Sequence, residues 1–547
     1  MKPAYLGLTT ATLFLIASLS PSLLPRHWVF QAIVSGIVTA VAYGLGTLIS
    51  HLWRTFVSWE PPSEVKAIAW RLLAVGGPIA VVAAWIYGVE RQRALHQLMG
   101  MTMPSWWGYL LGLAVGLLLA VALVLIARGI RLVARRIAGF LDRWLPARLA
   151  GILAGVIVGL VVIGLLDGVV VDRLFEAADE TFRVTDRAIP DDAVQPDDPL
   201  RSGSPASLVA WEDLGSKGRT FVAGGPTAEE ISEFTSRPAK DPIRVYAGLA
   251  SAESVEARAE LVVAELERTG AFERRVLCVI TATGTGWVDP EAAAALEYIW
   301  GGDTALASMQ YSYLPSWISF LVDYTRAREA GRELFELVYE RWVSLPPDDR
   351  PLLLVMGESL GADGAEAAFS GLADIRNRTD GVLLIGPPNF SELWSEFVSD
   401  RDQGSPQWNP VYEGGETVRF AADPSHLDPD DPAWTRPRVL YLQYPSDPVV
   451  WWTPRLILRR PDWLAEPRGP DVLPEVEWFP FVTFLQLTAD LANSIQVPPG
   501  HGHNYAGLVA DGWAAVAAPE HWTREDTARL RARLIAQSYE TGSSPSN

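Results

Sequence analysis

Ser359 lies in a sequence pattern that is typical of a nucleophile. The pentapeptide Gly357-Glu358-Ser359-Leu360-Gly361 directly follows the apolar run of residues 352–356 and precedes a segment with a helical pattern. In a G-x-S-x-G turn between a strand and a helix, the glycines let the backbone turn sharply enough to hold the serine hydroxyl clear of the sheet. Since the pentapeptide alone is common, the prediction depends on the strand before it and the helix after it. We predict that Ser359 is a nucleophile.

An acid and a base follow Ser359 in the chain. A serine hydroxyl needs a base to take its proton and a carboxylate to orient that base, and the chain order in α/β proteins is serine, acid, histidine. Asp447 follows a predicted strand at residues 438–444, where the carboxylate should emerge; the alternative is an Asp-Pro turn with no catalytic role. His503 is the favoured base and His501 is the alternative. A metal pair formed by the two histidines is disfavoured, because no Cys, Asp or Glu lies near them in the sequence.

Acyl transfer also needs hydrogen-bond donors for the charged oxygen of the tetrahedral intermediate. The amide of Leu360, directly after the nucleophile, supplies the first donor by its position. We place the second donor at Thr285 and Gly286, in the glycine-containing segment 281–287 that follows a predicted strand. This segment has no lysine and does not complete a dinucleotide-binding pattern, so we expect no cofactor and no metal.

Aromatic side chains are concentrated between the acid and the base, in an insert at about residues 449–490. Trp451, Trp452 and Trp478 belong to this aromatic insert. They either pack in the core or form a cap that lines an acyl pocket or rests on a bilayer surface, where tryptophan is favoured. Tyr311 and Trp317 belong to a second aromatic segment, near the edge of the sheet, that could line the same pocket.

The elements that must position these side chains are strands that alternate with helices, which indicates a doubly wound, mostly parallel α/β sheet. We predict strands at residues 243–249, 275–282, 305–310, 352–356, 382–385, 438–444 and 494–497, and helices at 254–268, 290–300, 316–343, from 360 onward and at 507–517. Such a sheet places its functional groups at the carboxyl ends of the strands, so Ser359, Asp447 and His503 should converge there.

The first third of the chain has a different character, because it is strongly apolar. Five stretches are each long enough, at about 20 residues, to cross a bilayer as a helix; they are residues 5–24, 29–52, 67–89, 107–126 and 149–171. The first could instead be a cleaved signal peptide, but four further spans behind it favour a retained helix. We therefore predict an α-helical transmembrane bundle at residues 1–172, an Asp/Pro-rich linker at 173–218 and an α/β domain at 219–547.

The charge of the chain changes sign between these parts. The net charge is −19 overall, and residues 1–172 carry 13 Lys or Arg against 6 Asp or Glu, so the acidic charge lies in the remainder. This acidity argues against nucleic acid as a partner. Arginines are concentrated between the fourth and fifth spans, and basic loops stay on the cytoplasmic side of a membrane. With five spans, the same rule places the α/β domain outside the cytoplasm, with the lipid bilayer as a partner.

Several of these features together resemble the bacterial membrane-anchored α/β-hydrolase family. They are the multi-span N-terminus, the segments 283–287 and 309–317, the turn at 357–361, the Ser446-Asp447-Pro448 turn and the run Gly500-His501-Gly502-His503. The resemblance covers almost the whole chain. It implies a serine hydrolase domain behind a helical membrane domain, of esterase or lipase type and with a poorly defined substrate. Glu358 stands where many lipases have a histidine or an aromatic residue, which argues against plain triglyceride lipase activity.

Two functions remain open at this point. The first is a membrane-bound serine esterase that acts on lipid-linked or other acyl esters, and hydrolysis and transfer to a second alcohol would use the same residues. The alternative is a non-catalytic membrane scaffold or transport-associated protein whose hydrolase-like domain binds a partner or a lipid, since a fold alone does not prove chemistry. The ordered set of Ser359, Asp447 and His503 favours the enzyme.

Overall fold

The structure is a computed structural model that describes residues 5–56, 62–164, 186, 188, 190, 193–315, 319–320 and 324–541. The chain divides into two compact units. The first contains Met1–Ala178, Pro454–Leu464 and Leu473–Asn493, and the second contains Asp179–Thr453, Ala465–Val472 and Ser494–Asn547. Two segments of the aromatic insert therefore belong to the first unit. The domain boundaries predicted at residues 172 and 218 stay a prediction.

The first unit contains five apolar helices. They are α1 (Tyr5–Ser18), α2 (Trp28–Phe56), α3 (Ser63–Leu98), α4 (Trp106–Leu141) and α5 (Ala147–Gly164). The predicted spans at 29–52, 67–89 and 107–126 lie within α2, α3 and α4, which are long and apolar enough to cross a membrane. The predicted span at 5–24 is wrong at its end, because α1 stops at Ser18, before two prolines that cannot continue a helix. The last residues of the predicted span at 149–171 lie outside the described residues.

A buried ion pair joins the start of the chain to the aromatic insert within the first unit. Arg26 Nε lies 3.6 Å from Asp490 Oδ1, and both side chains are almost fully buried. The Ser22 hydroxyl and the Leu23 amide donate hydrogen bonds of 2.9 Å and 3.1 Å to the same carboxylate. A buried charge is tolerated only when it is paired and hydrogen-bonded, and Asp490 has both kinds of partner.

The second unit is a parallel seven-stranded sheet with helices around it. The strands are β1 (Ile243–Ala247), β2 (Val276–Thr281), β3 (Thr304–Met309), β4 (Leu352–Glu358), β5 (Gly381–Ile385), β6 (Val418–Ala421) and β7 (Arg438–Leu442), in the order β1-β3-β2-β4-β5-β7-β6. The further helices of this unit are α6 (Gly215–Ala223), α7 (Ala228–Thr235), α8 (Val255–Arg268), α9 (Pro290–Ile299), α10 (Tyr324–Val343), α11 (Leu360–Glu366), α12 (Leu372–Arg378), α13 (Glu392–Ser399), α14 (Pro448–Trp451), α17 (Val509–Ala517) and α18 (Arg524–Thr541). In the aromatic insert, α15 (Asp462–Ala465) lies at the boundary between the units and α16 (Val482–Leu491) belongs to the first unit.

The strands are buried along almost their whole length, because helices cover both faces of a parallel sheet. This explains why the sequence of β4 is continuously apolar rather than alternating. β4 lies in the middle of the sheet, between β2 and β5, and its last residue, Glu358, pairs with Ile385. The chain leaves β4 at the carboxyl edge of the sheet, where β5 and β7 also end. The predicted α/β architecture behind an apolar helical segment is confirmed.

Among the described strands, two differences from the sequence prediction stand out. The predicted strand at residues 494–497 is wrong, because these residues form turns that lead into Pro498 and Pro499, which lack the amide hydrogens of a ladder. The strand β6 was not predicted. It has four residues and lies at the edge of the sheet, and so short a segment gives a weak periodic signal.

Candidate active site

Ser359 occupies the sharp turn between β4 and α11. Its backbone has φ of +54° and ψ of −126°, a conformation that costs a residue with a side chain about 1–3 kcal/mol. A Cβ at Gly357 would lie 2.7 Å from the Ala362 amide nitrogen, and one at Gly361 would clash with the Thr281 carbonyl oxygen. Only glycine fits at these two positions. The turn therefore requires both glycines of the G-x-S-x-G pattern.

Asp447 and His503 meet through a hydrogen bond. His503 Nδ1 lies 2.7 Å from Asp447 Oδ2, and both side chains are buried. The Tyr505 hydroxyl donates to the same oxygen at 2.8 Å, and the Val449 amide donates to Oδ1 at 2.8 Å. Because the carboxylate only accepts hydrogen bonds, Nδ1 carries the ring hydrogen and Nε2 presents its lone pair.

The other ring nitrogen of His503 is unsatisfied. Nε2 is buried and has no hydrogen-bond partner in the part of the chain that the structure describes. It lies 3.8 Å from Oε1 of Glu358, the residue directly before Ser359. Within the described residues no hydrogen bond joins the Ser359 hydroxyl to Nε2; catalytic hydrogen bonds of free enzymes often form only when substrate binds.

His501, the alternative base, lies against a different carboxylate. Its Nδ1 is 3.6 Å from Asp471 Oδ2. Asp471 also accepts a hydrogen bond from the Ser446 hydroxyl, whose oxygen accepts from the Gly502 amide at 2.8 Å. This network ties the loop of the acid to the loop of the histidines, and it leaves His503 as the histidine bound to Asp447.

The predicted oxyanion donors differ in whether their backbone amides already donate a hydrogen bond within the protein. Leu360 is the first residue of α11, and the first amides of a helix have no partner within the helix. The Gly286 amide already donates to the Thr283 carbonyl at 3.0 Å, because residues 283–287 form a tight turn. Because this hydrogen bond uses the amide hydrogen of Gly286, the amides of Leu360 and Thr285 are the remaining candidate donors to the oxyanion.

The aromatic residues predicted to line a pocket have several different environments. Trp451 is fully buried and packs edge-on against Trp394. Trp452 packs edge-on against Phe320. Tyr311 is buried, and its hydroxyl accepts a hydrogen bond from the Gly284 amide at 2.7 Å, so it supports the segment 281–287.

Two further aromatic residues were predicted to line the same pocket. Trp478 belongs to the first unit, where it donates to the Leu456 carbonyl at 2.8 Å. Trp317 lies outside the described residues.

Glu358 has an unusual environment for a carboxyl group. It is buried, and Asp289, Glu291 and Asp447 are close enough to act on it electrostatically. Burial, with added repulsion from these three carboxyl groups, raises the pKa of Glu358 well above its usual value. A side-chain hydrogen bond with Asp289 raises the pKa of Glu358 further. The described residues contain no group of three or more His, Cys, Asp and Glu side chains that could hold a metal ion.

Two family models match the chain. Residues 243–530 match a model described as the alpha/beta-hydrolase family, and residues 19–226 match one described as the N-terminus of that family. The first match alone covers more than half of the 547 residues. The chain belongs to the alpha/beta-hydrolase family.

A solved structure similar to this hydrolase is a Trichoderma reesei cutinase in complex with a C11Y4 phosphonate inhibitor. The two share 14% sequence identity, and the match covers 44% of this chain and 85% of the cutinase with a TM-score of 0.20. No curated protein matches the chain. The family models confirm the predicted α/β-hydrolase family with an N-terminal domain. Its bacterial origin, its membrane anchoring and the roles of the individual site residues stay predictions.

The structure adds Gly386 to the candidate site of this hydrolase, a residue that sequence reasoning missed. Gly386 directly follows β5 and has φ of +52°. A Cβ at this position would lie 2.7 Å from His503 Nδ1 and 3.0 Å from Asp447 Oδ2. No spacing rule connects Gly386 to the histidine, and its only signal is a glycine at the end of a predicted strand.

We expect Gly386→Ala to lower hydrolytic activity by about 100-fold, because a displacement of about 1 Å at reacting groups costs that much. The added methyl group would push His503 away from Asp447. The kcat of the purified full chain with a p-nitrophenyl ester measures the effect. Gly414→Ala is the matched control, since Gly414 also has a positive φ, +64°, but nothing lies within 4 Å of its Cβ position. Equal losses in both variants would contradict a steric role of Gly386.

Proposed function

We propose that this hydrolase is a membrane-bound serine esterase with Ser359 as nucleophile, His503 as base and Asp447 as the orienting acid. The observation that carries the proposal is the 2.7 Å hydrogen bond between His503 and Asp447, which leaves a buried, unpaired Nε2 beside the turn of Ser359. The strained backbone of Ser359 supports it further, because strain at a turn is typical of a nucleophile held in a fixed position.

The proposed reaction proceeds through an acyl-enzyme. Ser359 Oγ attacks the ester carbonyl carbon while Nε2 of His503 takes its proton, and the resulting imidazolium is stabilised by Asp447. The amides of Leu360 and Thr285 stabilise the oxyanion. The imidazolium then returns the proton to the leaving alcohol, and the acyl group stays on Ser359.

The helical unit supports a substrate class. Among the described residues, three helices are long and apolar enough to cross a membrane, which would give the chain access to lipids, so we propose that lipid-linked acyl esters are its substrates. Arg128, Arg131, Arg135 and Arg136 lie in the carboxyl-terminal part of α4. Because basic residues prefer the cytoplasmic side of a membrane, we propose that this end of α4 lies inside. We also propose that the two shorter apolar helices, α1 and α5, belong to spans, which would put the α/β domain outside the cytoplasm.

A fluorophosphonate probe tests the proposal, because it reacts with activated serines. We expect the full chain in membranes to be labelled, and mass spectrometry should locate the adduct on Ser359. A folded protein that is not labelled would favour the non-catalytic scaffold, and an adduct on another serine would contradict the proposed nucleophile.

A further inference from the structure

A small cavity lies beside the unpaired nitrogen of His503. Its volume is about 20 Å³ for the centre of a water molecule, and Glu358, His503, Asp289 and Trp287 are among the residues that line it. A polar cavity needs about 10–15 Å³ by this measure to hold one water molecule. The cavity therefore has room for one water molecule.

Within the described residues, two buried polar atoms of this cavity have no hydrogen-bond partner. They are Nε2 of His503 and Oε2 of Glu358, and each belongs to a side chain that is 5% exposed. The Glu358 carboxyl group also interacts with Asp289, which lines the same cavity. Nε2 accepts hydrogen bonds in the tautomer fixed by Asp447. A carboxyl group offers an acceptor oxygen whether or not it is ionised. One water molecule could thus donate one hydrogen to each atom and keep its lone pairs free.

We propose that Glu358 and His503 hold the water molecule that hydrolyses the acyl-enzyme. This inference rests on the proposed function, because it requires an acyl group on Ser359. It gives Glu358 a positioning role that the G-x-S-x-G pattern does not assign.

The step is balanced without a further reactant. The water oxygen attacks the acyl carbonyl carbon while Nε2 takes one of its protons. The tetrahedral intermediate then collapses, the bond between Ser359 Oγ and the acyl carbon breaks, and Nε2 returns the proton to Oγ. A carboxylic acid leaves.

Glu358→Leu separates this step from acylation, since leucine keeps a similar volume but removes both oxygens. With a p-nitrophenyl ester, we expect a burst of one equivalent of p-nitrophenol at the wild-type rate. After the burst, the steady-state rate of p-nitrophenol release should be about 10- to 100-fold lower than in wild type. Losses of this size are expected when a reactant is no longer held in position. Hydroxylamine, a nucleophile that needs little help from a base, should restore turnover. Glu358→Gln keeps an acceptor oxygen and should stay within about threefold of wild type.

The controls distinguish this inference from the proposed function. Fluorophosphonate labelling of Glu358→Leu at the wild-type rate would show that its site is folded; if that variant does not fold, Glu358→Met replaces it. Equal slowing of burst and steady state, or a Glu358→Gln variant as slow as Glu358→Leu, would overturn the inference. A wild-type protein with neither burst nor labelling would instead overturn the proposed function.

Discussion

Ser359→Ala is expected to lower kcat for an ester substrate by about 10⁵- to 10⁶-fold. Removing the nucleophile of a serine hydrolase leaves only substrate binding and oxyanion stabilisation, and losses of this size are typical. The side chain is small and mostly buried, so alanine changes little else in the turn. Hydrolysis of a p-nitrophenyl ester by the full chain in detergent or nanodiscs measures the effect.

Ser370→Ala is the matched control for this experiment. Ser370 is an exposed serine of the same unit that contacts Asp374, and its loss should leave kcat within about threefold of wild type. If Ser359→Ala retained more than a tenth of the activity, another residue would have to be the nucleophile.

Asp447→Asn is expected to lower kcat by about 10⁴-fold while leaving the fold intact. An asparagine cannot hold His503 in the tautomer that presents a lone pair at Nε2, and the loss of this orientation in a serine triad has an effect of this size. The 2.7 Å hydrogen bond to Nδ1 is the contact that the variant disrupts. Single-turnover kinetics with an ester substrate measure the change, and circular dichroism checks the fold.

The variant Asp471→Asn tests whether His501 or His503 is the base. Asp471 lies near His501 and binds Ser446, whereas His503 contacts Asp447. We expect Asp471→Asn to reduce kcat by no more than about tenfold through a looser loop. If Asp471→Asn were more damaging than Asp447→Asn, His501 would be the base.

The sequence predicts the central part of this site from local geometry. The apolar run of β4, the glycines around Ser359 and the position of Asp447 after a strand each depend on local geometry, which residue types reveal. The contact between His503 and Asp447 agrees with a parallel sheet whose strands end at one edge. Tertiary contacts between distant segments leave no local pattern of residue types in the sequence. The approach of Gly386 to the His503 ring and the unpaired oxygen of Glu358 could therefore only be found in the structure.

The ion pair between Arg26 and Asp490 limits how the chain can be truncated. Asp490 lies between Asp447 and His503 in the sequence, yet its cationic partner stands ahead of the first long helix. A fragment that began after the apolar helices would retain Asp447 and His503. Its Asp490 carboxylate would have lost the Arg26 cation, and the segment around Asp490 would have lost the helices that it packs against. Residues 473–493 therefore depend on the apolar helices for their packing, and a fragment that lacks those helices would leave this part of the first unit without its ion pair.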